Sequence, residues 1–462
     1  MRILHTSDWH LGRTFHGRVL DDAHAAFTEH LLELVRAEKV DAVLVSGDVY
    51  DRTVPPQQSV QLLDETLRRL SERTRVVLTP GNHDSAQRLG FASSLLREGL
   101  VIQARADGVD RAITLPDSAG RPGALVYALP YLDPESARWS LPPLLSARLG
   151  ESPGEVPEQQ TVPAAPEHSA SLAPPASQEP PGSPRLPRSH EAVVSGALRL
   201  VAADLARQRQ GASRRLPAVV MAHAFVSPTG PGASDAESAQ PSESERDIKV
   251  GGVDLVPSQV FATLGGSPHA PASGGLDYAA LGHLHRPQQV KLPAALRQQV
   301  ESTGTPLPLL RYSGSPLPFS FSEAPYPKSS VLLELGPKGV TRSELVPTPQ
   351  THQVLTLRGS LEELLSPQHD GLEAAWLRVE LTGELVHDAT ARLRRRFPNL
   401  LALTRVAPAL AAGSVPALHR QADLPQVADA FLAAAGGRAP TPAESAVLRE
   451  AYEAARNQEG SR

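Results

Sequence analysis

The chain has 462 residues, 40% of them hydrophobic, which is enough for two or three domains and too many for one ordinary core. It has no cysteine, so disulfides, thiolate nucleophiles and sulfur-ligated metals are excluded, and any metal must be held by nitrogen and oxygen. The net charge of −5 does not by itself point to nucleic acid, although a local basic patch would suffice, and no apolar run nears the roughly 20 residues of a membrane span.

The N-terminus enters a strand pattern directly, "RILHTSD", with no charged segment and long apolar region of a secretory signal, so a soluble cytoplasmic protein is expected. Residues 22–38 carry Phe27, Leu31, Leu34 and Val35 at helical spacing, and "VDAVLVSGD" is a second apolar run of strand length. Pro55-Pro56 opens a helix to residue 72 with Val60, Leu63, Leu67 and Leu70 on one face, and "RVVLTPGNHD" is a third strand. Strands separated by single helices predict βαβ units and a largely parallel sheet. Residues 141–188 are rich in Pro, Ala, Ser and Glu and predict a disordered insertion, as do residues 227–245. Between them lie a helix at 189–209 and the strand "AVVMAHAF"; "LDYAALGHLH" is a later strand. From about 350 the pattern is strand "HQVLTLRG", helix "SLEELL", strand "AAWLRVEL", helix "HDATARLRRRF" and strand "LLALTRV", a small α+β unit. Two helices, split at "GGRAPT", end the chain.

Five of the apolar runs stop in metal-ligand residue types. The first ends on Asp8 and His10, which point the same way two residues apart on a strand. The others end on Asp48, on Asn82-His83-Asp84, on His223, and on His283 and His285. Each alone has an ordinary reading: a Gly-Asp turn, an Asx loop, a core histidine, a surface His-x-His. Together, at the carboxyl ends of strands in an open α/β sheet, they would meet in one crevice. His5, His16, His24 and His30 do not end apolar runs and are read as structural or surface residues. Asp8, His10, Asp48, Asn82, His223, His283 and His285 are more ligands than one open ion site needs; they suit two ions about 3.5–4 Å apart sharing a carboxylate. Asp48, from a central strand, is the expected bridge. Imidazole, carboxylate and amide oxygen without sulfur favour manganese or iron over structural zinc. His83 is left to stabilise or protonate a phosphate oxygen, with Asp84 fixing its tautomer.

The ordered set D-x-H, G-D, G-N-H-D, a lone His and G-H-x-H resembles the metallophosphoesterase (calcineurin-like) superfamily over roughly residues 1–330. The stretches "SDWHLGRTFHGRVLDDAH", "GDVYDRTVPP", "GNHDSAQRL", "SERDIKVGGVDLVP", "YAALGHLHRPQ" and "RYSGSPLPFSFSEA" resemble the SbcD family of nuclease subunits. The resemblance implies an α/β fold, the metallophosphoesterase βαβ sandwich, at 1–345. A small α+β capping domain at 346–420 and C-terminal partner-docking helices at 421–462 would follow. It implies a manganese-dependent 3′→5′ exonuclease on double-stranded DNA that also cuts hairpins. The chain would act in DNA repair, recombination and replication as a homodimer, in a nucleoid-associated heterotetramer with an SbcC-type SMC-like ATPase. By that match one ion takes Asp8, His10, Asp48 and His285, and the other takes Asp48, Asn82, His223 and His283. The two insertions are longer than the resemblance implies.

Two other classes remain open: a nucleotide or cyclic-nucleotide phosphoesterase, and a catalytically idle scaffold for an ATPase. Residues 350–462 argue against the first and the full set of seven ligands against the second. Arg13, Arg52 and Arg88 each follow a metal motif closely and are candidate DNA contacts, or ordinary solvated arginines. In 441–456, Val447, Leu448, Ala451, Tyr452 and Ala455 form one stripe, which either folds back on the cap or docks on a coiled-coil partner.

Overall fold

The computed structural model describes residues 1–96, 99–150, 185–210, 212–228, 255–266, 275–303, 307–383, 386–406, 427 and 440–459. The chain divides into two compact units, Met1–Val354 and Leu355–Arg462.

In the first unit the strands Arg2–Thr6, Ala42–Ser46, Arg75–Thr79 and Leu100–Ile102 run parallel, and Ser329–Gly336 and Gly339–Pro347 complete a six-stranded sheet antiparallel beside Arg2–Thr6. A second six-stranded sheet is centred on Pro122–Ala128, Ala218–His223, Tyr278–Gly282 and Leu309–Tyr312, again parallel to one another. The two sheets form the sandwich that the resemblance implies, and the five ligand-bearing strand ends, read as neighbours in one open sheet, are divided between them, three in the first and two in the second.

The reason lies in side-chain alternation. Successive residues of a strand point to opposite faces. In the first sheet Ile3, Ala42, Leu44 and Val77 pack with Val126, Val219, Met221, Tyr278 and Ala280 of the second, so the two sheets share a core. Their neighbours Leu4, Val43, Val45, Val76 and Leu78 pack instead with Phe27, Leu31, Leu63, Leu67 and Leu70 of the helices Asp21–Ala37 and Gln57–Ser71. The second sheet is covered likewise by Pro134–Leu149 and His190–Arg209, through Leu141, Leu145, Val193 and Leu200. Both faces of each sheet are apolar, so the strands read as continuous runs, and the layers are helix, sheet, sheet, helix.

The first insertion begins later than expected. Residues 141–149 belong to the helix Pro134–Leu149, whose start is fixed by Asp133 accepting the N–H groups of Glu135 and Ser136, and whose Leu141 and Leu145 are buried. Residues 151–184 lie outside the described residues. Ser227, expected at the start of the second insertion, is buried in the short strand Phe225–Ser227; residues 229–254 also lie outside the described residues.

The second unit holds the three-stranded sheet Val354–Gly359, Trp376–Leu381 and Leu400–Arg405 with the helices Leu361–Leu365 and Ala389–Arg396 around a core of Leu364, Leu377, Val379, Leu393 and Phe397. Ser360 and Glu363 form a reciprocal capping box at the first helix. Of the two terminal helices, 424–439 falls outside the described residues apart from 427, and the second spans Pro442–Glu459. Among the described residues no helix is long and apolar enough to cross a membrane.

Candidate metal centre

The parallel strands of both sheets deliver their carboxyl ends to the same place because the sheets touch there. Ser46 Oγ donates to the Ala280 carbonyl at 3.0 Å, and His223 Nδ1 donates to the Ser46 carbonyl at 3.0 Å. Two glycines permit this approach. A Cβ on Gly282 would lie 1.8 Å from the Ser46 oxygen, and one on Gly47, whose φ is +83°, would lie 2.2 Å from His223 Nδ1. Backbone hydrogen bonds then fasten the first two loops together, Asp8 to Gly47 at 3.1 Å and His10 to Asp48 at 3.0 Å.

Within this seam all seven predicted ligands converge. His10 Nε2 lies 3.1 Å from His285 Nε2 and 3.5 Å from Asp48 Oδ2. On the other side His223 Nε2 lies 3.4 Å from the same Asp48 oxygen and 2.9 Å from Asn82 Oδ1, which is 3.2 Å from His283 Nδ1. Ligand atoms of Asp8, His10 and His285 fall within 4.8 Å of one another, as do those of Asp8, Asp48 and His223, and of His10, Asp48 and His83. None of His5, His16, His24 or His30 joins these groups; His5 Nδ1 meets Tyr278 Oη at 3.0 Å and His24 Nε2 donates to the Trp9 carbonyl at 2.9 Å.

The cluster is costly for the fold. Asp8, His10, Asp48 and His283 have positive φ, at 55°, 46°, 49° and 108°. Such conformations cost non-glycine residues on the order of 1–3 kcal/mol each and persist where the surroundings over-determine them. Burial raises the Asp8 carboxyl above its usual range. It lowers His10 to about 3 and His283 well below its ordinary value. Burial opposes charge on His223 and Asp48 too, but each favours the charge on the other, so His223 is raised to about 9 and Asp48 is held well below the carboxylate range. With Nδ1 of His223 committed to Ser46, its Nε2 is the nitrogen that faces Asp48 and Asn82. Nitrogen and oxygen donors gathered within 3.5 Å of a buried carboxylate and about 3 Å from one another fit divalent cations, whose charge would offset the buried anion.

Asp84 does not orient His83, contrary to the sequence-based expectation. Its carboxylate accepts the backbone N–H groups of Gly81 at 2.9 Å, Val49 at 3.0 Å and Tyr50 at 2.8 Å, tying the Asn82 loop to the Asp48 loop. Burial and the nearby Asp48 charge push it up to about 7 against these donors. Adjacent loop residues diverge, and His83 Nδ1 instead donates to the Asp51 carbonyl at 2.9 Å. The His83 ring stands edge-on to His10 at 4.8 Å, and its backbone N–H donates to Asp48 Oδ1 at 3.0 Å.

The arginines differ. Arg13 is mostly buried; it pairs with Asp51 at 3.3 Å and lies 4.9 Å over the Phe319 ring. Arg88 is exposed and donates to the Thr53 carbonyl at 3.0 Å, and Arg52 is exposed. Several residues at the site carried no signal of their own in the sequence. Asp51 Oδ1 lies 3.6 Å from His10 Nδ1. Glu323, 3.2 Å from His285 Nδ1, is paired with Lys328 at 2.6 Å. Burial works against charge on Glu323, but Lys328 and His285 hold its carboxyl well below the usual range. None of the three ends an apolar run; Asp51 and Glu323 were marked only by lying in "GDVYDRTVPP" and "RYSGSPLPFSFSEA".

Comparison with known proteins gives two family matches: calcineurin-like phosphoesterase over residues 1–121, and Type 5 capsule protein repressor C-terminal domain over residues 350–434. The chain is 33% identical over 414 residues to the D subunit of the SbcCD nuclease of Rhodobacter capsulatus, covering 85% of this chain and 83% of that protein. The protein of the same name from Bacillus subtilis is 30% identical, covering 87% and 84%, and that from Escherichia coli K12 is 27% identical, covering 87% and 83%.

Proposed function

Since the chain belongs to the SbcD family, that of the D subunit of the SbcCD nuclease, we propose that it is a metal-dependent DNA nuclease that hydrolyses phosphodiester bonds, degrading double-stranded DNA from 3′ ends and opening hairpins. In this reading it works in DNA repair and recombination, as a homodimer joined to an SbcC-type SMC-like ATPase on the nucleoid. The observation that carries the reading is the convergence of seven nitrogen and oxygen donors: His10 and His285 on one side of Asp48, His223, Asn82 and His283 on the other, and Asp8 near both. Asp8, His10, Asp48 and His285 would hold one ion, and Asp48, Asn82, His223 and His283 the other. Two such ions, manganese in this reading, supply an ionised water and neutralise phosphate charge.

The chain's own residues do the rest. Asp84 holds the Asn82–His83 loop in register with Asp48 through three backbone N–H groups. His83, with Nδ1 donating to the Asp51 carbonyl, has Nε2 left to donate to an oxygen of a phosphate that would bind beside it. The decisive assay uses the purified chain with and without co-expressed SbcC on labelled duplex DNA. Chelation is expected to abolish cutting and manganese to restore it. Turnover of small cyclic or mononucleotide esters without cutting of long duplex would favour the phosphoesterase alternative.

Two further outcomes follow. Arg52→Glu combined with Arg88→Glu is expected to weaken duplex binding and to flatten its salt dependence by about one unit of slope for each phosphate no longer neutralised. Arg13 is better tested as Arg13→Gln, because reversal would set two carboxylates against each other at Asp51. Unchanged binding across a salt titration would move the DNA path elsewhere. The tail is tested by truncation from about residue 420. The Pro442–Glu459 helix is fixed at its start by Thr441 and Glu444, and Val447 on its stripe is 66% exposed, which supports a docking role. The truncated chain should keep manganese-dependent cutting of a simple substrate and lose co-purification with SbcC. Full recovery of SbcC would assign the helix to the fold.

A further inference from the structure

The Ser- and Pro-rich stretch 313–328, which follows the strand Leu309–Tyr312, has no role in the reading above, yet it wraps one half of the centre. Ser313 Oγ lies 2.8 Å from Ser7 Oγ, which in turn bonds Asp8. The Phe319 ring stands edge-on to His10 at 5.1 Å and to His285 at 5.3 Å. Glu323 Oε1 lies 3.2 Å from His285 Nδ1, while its Oε2 accepts Lys328 Nζ at 2.6 Å and the Phe319 N–H at 3.2 Å. Lys328 Nζ also donates to the His285 carbonyl at 3.1 Å and to Ser315 Oγ at 2.8 Å. Both charged side chains are 2% exposed.

An ionised carboxylate only accepts hydrogen bonds, so His285 Nδ1 carries the hydrogen and Nε2 carries the lone pair. That Nε2 is the atom facing His10 across 3.1 Å. Glu323 grips the ring and Lys328 grips the backbone carbonyl of the same residue, so His285 is fixed at both ends. The other half is built differently, because His223 Nδ1 donates to the neutral carbonyl of Ser46. A carboxylate behind an imidazole fixes its tautomer and raises its basicity, and losing such a partner weakens metal binding about 10–100-fold.

We infer that Glu323, supported by Lys328, is a positioning residue that sets the metal affinity of the Asp8–His10–His285 half of the centre and leaves the Asn82–His223–His283 half unaffected. The inference rests on the two-ion reading proposed above. Its test is a manganese titration of the full-length chain, with bound ion counted by calorimetry and by the electron paramagnetic resonance signal of free manganese. Glu323→Leu combined with Lys328→Met removes both charges together, which avoids leaving a buried lysine unpaired. One of the two sites is expected to weaken about 10–100-fold and the other to stay within about twofold. Glu323→Gln combined with Lys328→Met, which restores an acceptor oxygen without the charge, should lie between the Leu/Met variant and the natural chain. Two affinities unchanged in the Leu/Met variant would overturn the inference, and so would equal weakening of both, which would make Glu323 a prop of the fold. If the natural chain itself binds fewer than two ions, the two-ion reading fails and the inference with it.

Discussion

Asp48→Ala is expected to lose metal from both halves of the centre at once, with duplex cleavage falling about 10³-fold or more. One carboxylate oxygen of Asp48 lies 3.5 Å from His10 Nε2 and 3.4 Å from His223 Nε2, so this single atom borders both histidine groups. Its other oxygen accepts the His83 N–H at 3.0 Å, so truncation also loosens the loop that carries Asn82. A ligand of one half gives the contrast. Asn82→Ala should lower metal content by one ion and leave the Asp8–His10–His285 group able to bind. Elemental analysis of desalted protein distinguishes the two patterns. Equal metal content in the natural chain and Asp48→Ala would remove Asp48 from its bridging role.

The ligands were legible because each stands where an apolar run stops. One buried strand ending in Asp, Asn or His reads as an ordinary turn or core residue, but five such ends in one chain do not, and Ala42–Ser46 and Tyr278–Gly282 are buried throughout. What the pattern hides is which sheet each strand joins. With both faces covered, the strands show no polar alternation, so the split into two sheets, and the pairing of Arg2–Thr6 with Ser329–Gly336, have no local signature. Gly47 and Gly282 were the sole trace of the seam, and they read equally well as turn residues. The helix reaching Leu149 was lost for a related reason: Pro142 and Pro143 look like breakers, yet they sit inside Pro134–Leu149 between buried Leu141 and Leu145.

Asp84 and Glu323 show the limit from opposite sides. Asp84 is next to His83 in the chain, and adjacency made it an orienting partner; in the fold it serves three backbone N–H groups of two loops. Glu323 is 38 residues from His285 and bonds to it. A carboxylate behind a ligand depends on tertiary approach, which spacing along the chain cannot encode. The strands and helices between residues 354 and 405 were read to within about two residues, because their core forms from local strand and helix periods.

His83→Ala is expected to retain two metal ions and to lose about 10²-fold or more in cleavage rate, the size of a missing acid or charge stabiliser. The geometry sets up two possible roles. His83 shares a group with Asp48 and His10, with ligand atoms within 4.8 Å, so it stands close enough to bind an ion. Its Nδ1 is committed to the Asp51 carbonyl at 2.9 Å, which leaves Nε2 as the nitrogen for either role, and its ring stands edge-on to His10. His83 is partly exposed whereas His10 and Asp48 are buried, so it can exchange a proton with solvent and deliver it to the ester oxygen that leaves phosphorus. A residue acting on phosphate changes the rate at saturating manganese and leaves the manganese titration where it was. A ligand does the reverse: activity tracks metal content, and excess manganese recovers part of it. His83→Gln sharpens the distinction, since its amide can donate a hydrogen bond to a phosphate oxygen but cannot deliver a proton. It should recover charge stabilisation in part while remaining slow with a poor leaving group. Loss of metal in proportion to loss of rate across His83→Ala and His83→Gln would make His83 an eighth ligand.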